Sequence, residues 1–126
     1  AQILKISSAY SPPPPEGFVS PMTWGVESHV IERFVAAGIP EENISFQRDT
    51  WTFRYPGSPS AFLEEFRQYY GPTMNAFEAA EKAGRGSELQ EELDTLFNNQ
   101  NVSGRDDQTV IPATFLRVMV NLPEST

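Results

Sequence analysis

A chain of 126 residues is long enough for one domain with a real core and too short for two. Seventeen acidic against nine basic residues leave a net charge of −8, a field that repels nucleic-acid phosphates and anionic membrane surfaces. Cysteine is absent, which excludes disulfides, thiolate zinc sites and a cysteine nucleophile together. Hydrophobic residues make up 39% of the chain and nine are phenylalanine, too many for a disordered segment. Residues 1–126 are therefore read as a single globular domain. No apolar run approaches the ~18–20 residues of a membrane helix, and no signal peptide is visible. With no cysteine, a cytoplasmic location and no membrane partner are expected. The chain opens on Ala1 rather than Met, so residues upstream are expected.

Gln2 to Tyr10 suits either two helical turns or a short strand, because Ile3, Leu4 and Ile6 do not separate the two periods. Pro12 to Pro15 end any regular element and favour polyproline geometry, so residues 12–21 read as a stiff connector. A helix is expected over 25–37: Val26, Val30, Ile31, Phe34 and Val35 make its apolar stripe, and Gly38 and Pro40 stop it. Ile44 to Tyr55 reads as a strand. Ile44 and Phe46 have one parity and Trp51, Phe53 and Tyr55 the other, so a β-bulge near Arg48 to Thr50 is expected.

Ser58 is the expected N-cap of the next helix, with Pro59 at its first position and Phe62, Leu63, Phe66 and Tyr70 inward. Gly71 and Pro72 interrupt, and Thr73 to Ala83 resumes with Met74, Phe77 and Ala80 on one face. Gly84-Arg85-Gly86 is a break between helices; it follows no strand and so lacks the context of a phosphate-binding turn. Ser87 with Gln90 predicts a capping box for the helix that buries Leu89, Leu93, Leu96 and Phe97. After a polar loop, 98–108, Ala113 to Val120 forms a second strand, apolar enough to be buried on both faces. A two-stranded sheet is marginal alone, so such a strand asks for neighbours.

Little in the chain offers catalytic chemistry. His29 is the single histidine and reads as a helix-surface residue. Asp106, Asp107, Glu41 and Glu42 are loop acids without calcium-loop spacing, so no metal ligands are assigned. Asn43-Ile44-Ser45 and Asn101-Val102-Ser103 match the glycosylation acceptor pattern and are read as chance matches. The densest aromatic cluster is Phe66-Arg67-Gln68-Tyr69-Tyr70, where adjacent tyrosines cannot both face a core. One hydroxyl should reach solvent or a pocket.

Five motifs occur in order. They are Tyr10 to Pro15, Pro21-Met22-Thr23-Trp24-Gly25, Thr52-Phe53-Arg54-Tyr55-Pro56, Phe66-Arg67-Gln68-Tyr69-Tyr70-Gly71-Pro72-Thr73, and Ile111-Pro112-Ala113-Thr114-Phe115-Leu116. Together, over residues 2 to 121, they resemble the C-terminal half of bacterial-type class I S-adenosylmethionine-dependent methyltransferases. The resemblance implies that Ile44–Tyr55 and Ala113–Val120 are the last two strands of a Rossmann-like α/β sheet, the final one antiparallel. It implies that the helices between them cover the substrate side. As it stands, the chain is expected to be α+β, with helices around a small antiparallel strand pair, completed by strand exchange in a homodimer through the exposed sheet edge. The family's glycine-rich turn and following acidic residue have no counterpart, so no cofactor-binding and no catalytic residues are assigned. S-adenosylmethionine serves the full-length family and is not expected to bind this chain alone. Tyr69, Tyr70, Arg67 and Trp24 are the candidates for facing a small-molecule methyl acceptor. The alternatives are a small-ligand-binding module and a protein-interaction module.

Overall fold

A computed structural model describes residues 1–124. In chain order it contains α1 (Gln2–Tyr10), a 3-10 turn (Pro21–Gly25), α2 (Glu27–Ala36) and a second 3-10 turn (Glu41–Asn43). There follow β1 (Ile44–Tyr55), α3 (Pro59–Tyr69), α4 (Gly71–Lys82), α5 (Gly86–Gln100) and β2 (Thr109–Val120). The protein is α+β, with five α-helices and one two-stranded antiparallel sheet, β1 against β2. The chain divides into two units. One comprises Ala1–Glu16 and Thr52–Pro112; the other comprises Gly17–Trp51 and the chain from Ala113 onward.

The first unit is built by four helices. α1, α3, α4 and α5 turn their apolar stripes inward around Leu63, Ala76, Phe77, Ala80, Leu89, Leu93 and Phe97. Phe62 is the hub of an aromatic array, with ring centroids 5.1 Å from Tyr55, 5.1 Å from Phe66 and 5.7 Å from Phe97. The array ties the end of β1 to α3 and α5, and each such pair adds about 0.5–1.5 kcal/mol beyond its buried area. Thr109, fully buried, donates its hydroxyl to the Gly57 carbonyl at 2.9 Å and fixes the start of β2.

Local signals account for most element ends. Ser58 Oγ accepts from Ala61 N at 3.1 Å, and Pro59 occupies the first turn of α3. Gly84 follows α4 with φ +72°, a left-handed conformation that favours glycine, while Arg85 N reaches back to the Ala80 carbonyl at 2.7 Å. Gly38, at φ +91°, closes α2 in the same way, with Ile39 N on the Phe34 carbonyl. Gln2 to Tyr10 resolves as a helix.

Other expectations are revised. Residues 21–25 form a 3-10 turn and α2 begins only at Glu27, because Ser20 caps the turn and Arg48 Nη2 takes the Gly25 carbonyl at 3.1 Å. The Ser87 capping box is not formed: α5 starts at Gly86, and Leu89 N bonds the Arg85 carbonyl, so Ser87 lies inside the first turn. The expected apolar face of Trp51, Phe53 and Tyr55 is not formed: the half-buried residues of β1 are Ile44, Phe46, Asp49, Thr52 and Tyr55, while Trp51 and Phe53 are exposed. β2 begins at Thr109, earlier than its apolar run, and is not covered on both faces: Phe115 and Met119 are exposed.

The second unit is thinner. Val30 is its one fully buried apolar side chain among the described residues. Asp49 on β1 pairs with Arg117 on β2 at 2.7 Å, and Asn121 N donates to the Asn43 carbonyl beyond the ladder's end. Phe18, Val19, Met22, Trp24, Val26, Val35, Trp51 and Met119 are all exposed.

Candidate functional site

The aromatic run 66–73 occupies the end of α3 and the start of α4. Phe66 points inward, so helical geometry turns the next positions outward in sequence. Tyr70, at the C-cap of α3, folds back edge-on against Phe66, with centroids 5.4 Å apart, and stays partly exposed. Tyr69 is 76% exposed, so the expectation that one of the two tyrosines reaches solvent is met by Tyr69.

Arg67 is the candidate that the fold engages most. Its guanidinium lies 4.4 Å from the Phe77 ring centroid, a cation–π contact worth about 0.5–1 kcal/mol at a partly exposed site. Nη2 donates to Glu81 Oε1 at 2.6 Å and Nη1 to Gln90 Oε1 at 3.3 Å. From there the network continues: Gln90 Nε2 donates to Asp94 Oδ2 at 3.0 Å, and Ser60 Oγ donates to Asp94 Oδ1 at 3.0 Å. Residues of α3, α4 and α5 are thus joined by one chain of polar contacts. It borders an open groove of about 930 Å³, walled also by Ser87, Glu91, Thr95 and Asn98.

Sequence reading found Arg67 but not its partners. A signal was present: Gln90, Asp94 and Asn98 recur every four residues, a polar stripe on α5 that flanks the buried one of Leu89, Leu93 and Phe97. Chemically, the groove offers amides, hydroxyls and carboxylates that can orient a polar molecule. Its strongest groups are already paired with one another. Nothing along it resembles a nucleophile held by a base.

A smaller hollow of about 580 Å³ lies beside α1 and α5, around Tyr10 and Arg85. Arg85 stacks 4.5 Å from the Tyr10 ring centroid and binds Glu88 Oε2 through Nε at 2.9 Å. Lost solvation pushes the Tyr10 hydroxyl above its ordinary pKa, and the neighbouring Glu92 carboxylate pushes the same way. The Glu88 hydrogen bond likewise holds Arg85 in its charged form.

Trp24 belongs to the other unit. It is half exposed, and the Arg33 guanidinium lies 4.5 Å from its ring centroid while donating to Thr23 Oγ1 at 2.6 Å. Arg67, Tyr69 and Tyr70 therefore share one unit, and Trp24 has its own set of neighbours. His29, Glu41, Glu42, Asp106 and Asp107 are exposed, and no three acids or histidines among the described residues gather into a metal site.

Both glycosylation-pattern asparagines have structural work. Asn101 Nδ2 donates to the carbonyls of Arg105 and Gln108, and its Oδ1 accepts from Ser103 N and Val110 N. Asn43 Nδ2 donates to the Asn121 carbonyl at 2.9 Å.

The turn from β1 into α3, residues 56–58, carries one glycine, and a side chain there would meet the Tyr55 ring at 2.8 Å. Among the described residues, no helix is long and apolar enough to cross a membrane. No family model, curated protein or solved structure matches this chain.

Proposed function

We propose that this chain is the substrate-side, C-terminal part of an S-adenosylmethionine-dependent methyltransferase, without the cofactor-binding segment and without methyl transfer of its own. The observation that carries the reading is the order of elements. A strand, three consecutive helices and a second strand antiparallel to the first are what the five sequence motifs imply for the end of such a fold. In this reading Arg67, Tyr69 and Tyr70 on the helices, with Trp24, are the groups that meet a small-molecule methyl acceptor. Methyl transfer works by holding donor and acceptor in line. A chain that offers acceptor contacts but no donor pocket supplies half of that geometry, in the cytoplasm of the cell. Calorimetric titration of the purified chain with S-adenosylmethionine and with its demethylated product tests the reading. No heat of binding is the expected result. Saturable binding to either compound overturns it.

A second reading rests on the exposed apolar side chains and the open edge that a two-stranded sheet leaves on each strand. In that reading the chain is a protein-interaction module that completes its sheet with a second copy. Sedimentation at increasing concentration tests this pairing: a dimer that Trp51→Ser weakens supports it, and a monomer throughout the range removes it.

A further inference from the structure

We draw no further inference here: the strongest candidate, the patch of exposed apolar side chains on the first 3-10 turn and its flanks (Phe18, Val19, Met22, Trp24 and Val26), carries nothing, because nothing in the structure shows what covers it.

Discussion

The two units of this protein handle apolar side chains in opposite ways. The helical unit gathers seven of them into a closed cluster and rings it with partly buried neighbours. The other unit fully buries Val30 among its described residues, while Trp51 and Met119 on the strands remain 63% and 58% exposed. Four helices supply enough inward stripes to close a core by themselves. One ten-residue helix and part of a two-stranded ribbon do not. Of the fifteen exposed large hydrophobics among the described residues, ten belong to the ribbon unit and five to the helical one. The helical unit has the makings of a self-sufficient fold. The ribbon unit leaves most of its large apolar groups exposed.

The sharpest way to break this contrast is to remove a core residue from each unit. Leu93→Ala, in the middle of α5 and fully buried, should cost about 2–5 kcal/mol in urea unfolding, enough to abolish much of the far-ultraviolet helical signal near room temperature. Val30→Ala removes fewer methyl groups from a thinner cluster and should cost less, on the order of 1–2 kcal/mol. Equal costs would mean that the two units share one cooperative core.

Smaller effects probe the loops. Asn101→Ala takes away four hydrogen bonds that organise residues 101–110 and should lower stability by roughly 1–3 kcal/mol, read from the shift of the denaturant midpoint. Ser58→Ala removes the cap of α3 and should cost about 1 kcal/mol.

On the ribbon, Trp51→Ser should move stability by less than about 0.5 kcal/mol, because the ring is largely in water already. A large loss on that substitution would show the ring to be part of a core.

The smallest expected change is in pH dependence. Arg105 grips Asp107 through two hydrogen bonds of 2.9 Å, and these hold the Asp107 carboxyl below its ordinary 3.8. A depressed carboxylate stabilises the fold at pH above its unfolded value, and that contribution is lost as pH falls through the lower folded one. Asp107→Asn should therefore remove a small stabilisation at neutral pH and flatten the acid limb, so that variant and native chain converge below about pH 4. The pair is exposed, so the effect should be slight and should shrink further in salt.

Much of this architecture is legible in the chain. The cap of α3, the glycines closing α2 and α4, the bounds of β1 and the apolar stripes of α3 and α5 follow from side-chain chemistry within a few residues, whereas α4 starts at Gly71, ahead of the expected Thr73. What misled the reading was also local. Ser87 and Gln90 have capping-box spacing, yet the Arg85 carbonyl had already opened the helix. The Pro21 to Gly25 segment looked ready for α2 until Arg48, distant in sequence, claimed the Gly25 carbonyl. Of the candidate site, Arg67 and the tyrosines were found because aromatic clusters announce themselves. Its partners Glu81, Gln90, Asp94 and Ser60 were not, because exposed polar residues carry no such mark until helices bring them together.

The sequence by itself determined most of the helices and strands, though not all of their starts, because capping, proline and glycine geometry and apolar periodicity act over one or two turns. Only the tertiary structure decided which apolar residues found a core and which did not. Burial depends on how many elements converge at a point, and periodicity along one element cannot count its neighbours. Val26, Trp51 and Met119 have the composition of core residues and the exposure of surface ones. That difference was settled by the folds around them, since nothing in their own segments marks them as exposed.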